Sequence, residues 1–257
     1  MLDRDLGRII QGQSDTDGVL ISTRAEVVLD PVRLSEGDEI LPESFQRGLY
    51  PHWGRLIRRG SSEAFLLTER PFNQIIDNFF YLLPSKLIEF YIKRSEADQV
   101  RILDAGGGRD GAAARDVARR YPNAQVINVD FVAVNESTGN FASKQGDLCN
   151  LDLPDESIDF AYSHQVLPYM NRDDNYARHT KVIEEAYRVL RPGGAAVIDF
   201  TNEAAIPVNV LRSIDERLNA FVLPKRKSYG GGFLLIIKNP IDPGIMSIGD
   251  RAQKLVA

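Results

Sequence analysis

A glycine-rich loop contains the residue types best suited to hold a ligand. The apolar run 100–103 is typical of a buried strand, and the sequence DAGGGRDG follows it at 104–111. Glycines allow the backbone to turn sharply and let a ligand approach closely. The alanine-rich run 112–121 predicts a helix directly after the loop, and the positive end of that helix would face the ligand.

The loop by itself is consistent with more than one ligand. It satisfies the pattern G-x-G-x-x-G, so a dinucleotide is one candidate. Asp104 lies two residues before the first glycine, Gly106, and a carboxylate there would sit poorly beside a pyrophosphate. The acid favours a ligand with a cationic end, and a glycine turn without any ligand is the remaining alternative.

Two more acidic residues suit an adenosine group, one at the end of a predicted strand and one after a short polar segment. Asp130 ends the predicted strand 126–129, about 20 residues beyond the loop, where a carboxylate can accept hydrogen bonds from ribose hydroxyls. Asp147 could accept a hydrogen bond from an exocyclic adenine amine, and Leu148 could pack on the ring. The alternatives are a turn or cap residue at Asp130 and a solvated loop residue at Asp147.

His164 is the candidate for proton transfer. It directly follows the predicted strand 158–163, and an ordinary imidazole titrates near pH 6.5, which suits a general base. The alternative is a histidine that hydrogen-bonds the neighbouring loop or packs beside the ligand, and Tyr169 is a competitor for the same role. We interpret His52 as a loop residue and His179 as a helix-surface residue.

The elements that must position these residues alternate between helices and strands from about residue 72. This alternation predicts a largely parallel sheet with helices on both faces, whose ligands lie beyond the carboxyl ends of the strands. The predicted helices are 74–83, 85–94, 112–121, 179–190 and 207–219. The later strands are 158–163, 195–200 and a hairpin of 221–222 with 233–237. The sequence PGG at 192–194 is expected to end the helix 179–190.

Composition limits the class of protein. The chain has 257 residues and a formal net charge of −5, which gives no overall attraction for nucleic acid or anionic membrane. Cys149 is the one cysteine, so no intrachain disulfide or multi-cysteine metal site is expected. The most apolar stretch, 75–92, contains charged residues and a proline, so a membrane span is not expected. These features favour a cytoplasmic protein.

The chain divides into three parts at the level of sequence pattern. Residues 1–72 are an N-terminal extension, 73–243 the alternating domain, and 244–257 a loose C-terminal tail. Within the extension, 19–29 and 50–53 are expected to cover the carboxyl edge of the sheet as a lid or dimer arm, because the ligand motifs begin only near residue 100.

Four motifs together resemble a known family. The runs LDAGGGRDG, VINVD, GDLCNLDLPDESIDFAYSHQVL and EEAYRVLRPGGAAVIDF are similar to class I S-adenosylmethionine-dependent methyltransferases, of the small-molecule type that includes the ubiquinone/menaquinone biosynthesis enzymes. The resemblance covers about residues 100–240, and RVLRPGG at 188–194 is its most specific part. It implies an α/β, Rossmann-like, seven-stranded mixed sheet with helices on both faces and an antiparallel last strand.

The resemblance also implies a role for each matching residue. The cofactor-binding set is Asp104, Gly106, Gly107 and Gly108 for the methionyl part of S-adenosyl-L-methionine, Asp130 for the ribose, and Asp147 with Leu148 for the adenine. His164 would lie near the reactive methyl group, and no metal site is implied.

The sequence departs from the family pattern at three places. Arg109 and Asp110 add a residue before Gly111, and Asn128 replaces a common glycine. Both are expected to alter loop shape only. Residues 135–140, NESTGN, form a poor helix where the family normally has one, so the adenine-side contacts are the least defined.

The resulting prediction is a methyltransferase acting on an oxygen, nitrogen or carbon atom of a small organic molecule, as a monomer or homodimer. One alternative is a cofactor-binding subunit that has lost catalysis. A second is an NAD-dependent oxidoreductase, against which Asp104 and the RPGG segment argue.

Overall fold

The computed structural model describes residues 38–40, 54–59, 62–67, 72, 76, 83–95, 99–167, 177–200, 220–224 and 232–238. Several predictions lie outside these residues: the segments 19–29 and 50–53, His52, Tyr169, the helix 207–219 and the tail 244–257. The division of the chain into three parts stays a prediction.

Two sheets contain the described strands. A small antiparallel sheet is formed by β1 (Asp38–Ile40), β2 (Gly54–Arg59) and β3 (Ser62–Leu67). The strands of the second sheet, in chain order, are β4 (Val100–Ala105), β5 (Ala124–Asp130), β6 (Glu136–Thr138), β7 (Phe141–Gln145), β8 (Ile158–Ser163), β9 (Leu190–Phe200), β10 (Ala220–Pro224) and β11 (Gly232–Ile237).

The large sheet has the predicted mixed topology. Its strands lie side by side in the order β10-β11-β9-β8-β4-β5-β7-β6. The central strands from β9 through β8, β4 and β5 to β7 are parallel, whereas β11 runs antiparallel to both β9 and β10. The seven-stranded mixed sheet with an antiparallel last strand is therefore confirmed, and the three-residue strand β6 extends its edge.

Helices pack on both faces of this sheet, as predicted. The described helices are α1 (Leu83–Arg94), α2 (Ala112–Arg120) and α3 (Ala177–Val189). Apolar side chains of α1 and α2 pack in one core cluster with Ile102 of β4, and those of α3 pack in a second cluster with Leu103 of the same strand. Successive residues of a strand point to opposite faces, so one apolar strand supports both cores. Among the described helices, none is long and apolar enough to cross a membrane.

Two predicted boundaries were wrong. Pro84 lies in the first turn of α1, where a missing backbone N–H leaves no helical hydrogen bond unmade. α3 ends at Val189, and PGG at 192–194 lies inside β9. The register with β8 shifts there, and a Cβ on Gly194 would lie 2.9 Å from the Arg191 carbonyl oxygen. The glycine therefore permits a bulge in the strand and does not end the helix.

Residues 135–140, a poor helix by sequence, include the strand β6 instead. The chain returns through β6, which pairs antiparallel with β7. Asn140 fixes the turn between them, because its amide nitrogen donates to the carbonyl oxygens of Ala118 at 2.9 Å and Ala124 at 2.8 Å. The last turn of α2 and the start of β5 are thereby tied to this hairpin.

A buried ion pair attaches the segment before β8 to α3. Glu185 accepts the Leu151 N–H at 2.9 Å and pairs with Arg188 at 2.8 Å. Arg188 also donates to the carbonyl oxygens of Leu151 and Leu153. Burial acts to raise the pKa of Glu185, but the hydrogen bonds from Arg188 and Leu151 outweigh it and lower that pKa.

Glu185→Gln should reduce the free energy of unfolding at neutral pH by about 1–3 kcal/mol, because it weakens a buried network of charged hydrogen bonds. The pKa of Glu185 is lowered in the folded state, so its contribution is fully present above the ordinary glutamate value of about 4.3 and is lost as the pH falls through the folded value. Urea unfolding across this range measures both effects. The matched control is Glu184→Gln on the same helix, and an equal loss in both variants would contradict the assignment.

Candidate functional site

The glycine loop after β4 packs directly over two buried polar side chains. Asp104 is only 2% exposed and Asn128 is fully buried. A Cβ on Gly107 would lie 2.6 Å from the Asn128 Oδ1 atom and would overlap the Asp104 carboxylate. Gly106 has a φ of +89°, a backbone conformation that favours glycine, and a Cβ there would overlap Val166. The loop shape therefore requires glycine at both positions.

The end of β5 holds this loop through three consecutive residues. The Asn128 amide donates to the Gly108 carbonyl oxygen at 3.0 Å, and the Gly106 N–H donates to the Val129 carbonyl oxygen at 2.8 Å. The Gly108 N–H donates to the Asp130 carboxylate at 3.0 Å. Asn128, expected to alter loop shape only, is thus a direct support of the loop.

Asp130 lies beside the loop at the carboxyl end of β5, as predicted. Its second carboxylate oxygen accepts the Val132 N–H at 3.0 Å. Burial raises the pKa of this carboxyl, and the backbone N–H groups of Val132 and Gly108 partly offset the rise. Phe131 comes next and is 42% exposed. Sequence reasoning missed this aromatic residue, although its position directly after the predicted ribose acid was a usable signal.

Leu148 and Asp147 lie in different environments. Leu148 is buried, and its side chain is 3.5 Å from the point that a Gly106 Cβ would occupy. Asp147 is exposed, accepts the Cys149 N–H at 2.9 Å and lies 3.6 Å from the Arg178 guanidinium. Burial, with a contribution from Asp147, raises the pKa of the Cys149 thiol, so this thiol has little thiolate character at neutral pH.

His164 is buried at the carboxyl end of β8 and lies next to a second acid. Its Nδ1 atom is 3.6 Å from the Asp199 carboxylate of β9, and both side chains are at most 4% exposed. The Gln165 N–H donates to the same carboxylate at 2.5 Å. Sequence reasoning missed Asp199, although an acid inside the otherwise apolar run AAVIDF was a signal for it.

His179 was wrongly interpreted as a helix-surface residue. It is fully buried, and its Nε2 atom donates to the Leu167 carbonyl oxygen at 3.0 Å. Its spacing from Val182, Ile183 and Ala186 places it on the apolar stripe of α3. The histidine therefore holds the segment after β8 at Leu167.

Tyr162 lies in the core behind the site. It is fully buried, and burial raises its pKa well above the ordinary tyrosine value, with a further contribution from the Asp104 carboxylate. The phenol stays protonated at neutral pH, so it is not a candidate general base.

The structure brings most of the predicted residues to one edge of the sheet. The loop after β4 contacts the end of β5 through Asp130, and Gly106 faces both Leu148 and Val166. His164, two residues before Val166, lies at the same edge. Within the described part of the chain, no group of three histidine, cysteine or acidic side chains could hold a metal ion.

Comparisons with known proteins agree with this geometry. Residues 103–198 match the family model described as a methyltransferase domain. A Mycolicibacterium smegmatis protein described as a "probable S-adenosylmethionine-dependent methyltransferase" is 29% identical over 103 residues. That match covers 39% of this chain and 38% of the relative, so the chain spans well under half of the relative's length.

Solved structures with a similar fold include two methyltransferases. A TehB-like enzyme from Corynebacterium glutamicum is 17% identical, covers 64% of this chain and 98% of that one, and has a TM-score of 0.42. An arsenic(III) S-adenosylmethionine methyltransferase from Chlamydomonas reinhardtii is 19% identical, with coverage of 55% and 62% and a TM-score of 0.39.

Gly107→Ala should weaken binding of S-adenosylmethionine by at least about tenfold, or about 1.4 kcal/mol, because the added methyl group would displace the loop from Asp104 and Asn128. Isothermal titration calorimetry measures the change. Gly139→Ala is the matched control: its φ is +59°, but a Cβ there meets no atom within 4 Å, so stability should fall while affinity is kept. Unchanged affinity in folded Gly107→Ala would contradict the site.

Proposed function

We propose that the chain contains a class I S-adenosylmethionine-dependent methyltransferase domain and transfers a methyl group to a small organic acceptor. The observation that carries the proposal is the glycine loop that fits over Asp104 and is attached to Asp130. The net charge of −5 makes a nucleic acid a poor acceptor. The ubiquinone-type subgroup, the accepting atom and a monomeric or dimeric state stay predictions.

The residues present fit the cofactor in shape and in charge. A backbone without side chains at Gly106 and Gly107 allows close approach of the methionyl part, and the Asp104 carboxylate beneath it favours the cationic ammonium group. The Asp130 carboxylate accepts the backbone N–H groups of Gly108 and Val132, which hold it at the carboxyl end of β5, where an acid can accept ribose hydroxyls. Leu148 offers an apolar surface for the adenine.

Bound S-adenosylmethionine supplies an electrophilic methyl group, so the protein need not supply a nucleophile. The tasks left to the chain are to hold the acceptor in line, to exclude water and to receive a proton. Correct positioning alone can be worth about 7–11 kcal/mol of the barrier. His164 is the proposed proton acceptor when the methyl-accepting atom is a hydroxyl or an acidic carbon.

The two alternatives make different predictions about ligand binding. An NAD-dependent oxidoreductase would bind a dinucleotide, which the buried Asp104 carboxylate disfavours. A binding subunit without catalysis would bind S-adenosylmethionine but transfer no methyl group. Titration with S-adenosylmethionine and with NADH, followed by a screen of metabolites with labelled cofactor, separates all three functions.

Asp104→Asn should weaken S-adenosylmethionine binding by about 1.5–3 kcal/mol, the range for a hydrogen bond to a charged group. The substitution keeps the shape that supports Gly107 and removes the charge. S-adenosylhomocysteine has the same ammonium group but no sulfonium, so we expect calorimetry to show an equal loss for both ligands. A loss confined to S-adenosylmethionine would place Asp104 near the sulfonium, and no loss for either would refute its role in binding.

His164→Ala should lower kcat by at least about a hundredfold, the lower end for a lost general base, while cofactor affinity stays within a few-fold. Steady-state kinetics with the acceptor found in the screen and calorimetry with S-adenosylmethionine measure the two quantities. A loss of cofactor binding would make His164 a wall of the site, and an unchanged kcat would remove it from the chemistry.

A further inference from the structure

We propose that Asp199 is a positioning residue that orients the His164 ring and fixes its tautomer. The proposal rests on the proposed function for its kinetic consequence, but its structural part stands by itself. Asp199 is one residue before the end of β9 and fully buried. Its carboxylate reaches across to the adjacent strand, β8, at the point where the site begins.

The geometry favours one arrangement of the imidazole. The Asp199 Oδ2 atom lies 3.6 Å from Nδ1 of His164. This distance is longer than a hydrogen bond, so the carboxylate acts on the ring through its charge, which favours a proton on Nδ1 over a lone pair that faces it. In that tautomer the unprotonated ring nitrogen is Nε2, and an unprotonated nitrogen is what a general base uses.

The same carboxylate also holds the backbone next to His164. Gln165 has a φ of +63°, which is uncommon for a residue other than glycine. Its N–H donates to Asp199 Oδ1 at 2.5 Å, and its side-chain amide lies 3.5 Å from Oδ2. Asp199 therefore stabilises the turn that carries the histidine as well as the ring itself.

This arrangement gives His164 a defined task in the proposed reaction. As the acceptor gains a methyl group it loses a proton, which Nε2 receives and later returns to solvent. The resulting imidazolium is stabilised by the adjacent carboxylate, and burial of both side chains strengthens that attraction. Asp199 acts only through His164.

Other titratable groups around His164 must enter the interpretation of any pH profile. Asp199 of β9 is in contact with the ring, and the strands beside and including β8 also carry the buried Asp104 of β4 and the protonated phenol of Tyr162. α3 contributes His179, whose Nε2 is committed to the Leu167 carbonyl.

The structural test uses the full chain without ligand. Nitrogen-15 NMR at about pH 8.5, about two units above the ordinary histidine value, reports which ring nitrogen bears the proton. His164→Gln identifies the signal. We expect the Nδ1–H tautomer in the wild type and a larger Nε2–H fraction in Asp199→Asn. A wild-type ring with the proton on Nε2, or a tautomer ratio that Asp199→Asn leaves unchanged, would overturn the proposal.

The kinetic test compares Asp199→Asn with Asp159→Asn, a matched change on β8 away from the site, where the carboxylate accepts the Arg101 N–H. We expect Asp199→Asn to lower kcat by about a hundredfold or more, with KM and cofactor affinity within a few-fold. The acidic limb of its pH–rate profile should move to lower pH, because the carboxylate that favours the imidazolium is gone.

These experiments separate a failure of the proposed methyltransferase function from a failure of the role of Asp199. Failure of the wild type to bind S-adenosylmethionine or to methylate any acceptor contradicts the function and leaves the tautomer result standing. Active wild-type enzyme with an unchanged kcat and pH profile in Asp199→Asn contradicts the role of Asp199. If Asp199→Asn does not fold, the wild-type tautomer alone decides. Asp199→Glu keeps the carboxylate, so it should retain part of the Nδ1–H population of the wild type.

Discussion

The attachment of the glycine loop to the end of β5 is the constraint on which the site depends. Three consecutive β5 residues, Asn128, Val129 and Asp130, hydrogen-bond the loop. The contacts are short because Gly107 has no side chain to separate the loop from Asn128 and from Asp104 below it. Asn128 donates from its amide nitrogen both to Gly108 of the loop and to Ser143 of β7, so it ties loop shape to sheet register.

A second support holds the loop after β8. Within the described residues 164–167, Asp199 holds the Gln165 N–H and His179 holds the Leu167 carbonyl. Val166 lies between these two anchors and packs against Gly106 of the other loop. The two loops therefore form one surface, and a change in either would be transmitted to the residues proposed to bind the cofactor.

The edge of the sheet departs from the pattern of the methyltransferases that the sequence resembles. A short return strand, β6, stands where the resemblance implies a helix. Arg115 of α2 compensates in part, because its guanidinium lies 4.4 Å from the centre of the Phe141 ring and pairs with Glu136. Phe131 stays exposed near the end of β5, so the proposed adenine side of the site has an aromatic residue available but lacks a covering helix.

The sequence by itself determined the features that depend on neighbours along the chain. Apolar runs of strand length, the helical stripes and the glycine loop predicted the alternating fold, and the rule that ligands lie at carboxyl strand ends placed Asp104, Asp130 and His164 at one edge. Only the tertiary structure decided that Asp199 meets His164, because the residues are 35 positions apart and their contact depends on the register of β8 with β9. The burial of His179 also depends on the tertiary structure, because packing partners distant in sequence determine which polar residues are enclosed. The bulge at PGG depends on it too, because the bulge is a shift in the pairing of β9 with β8.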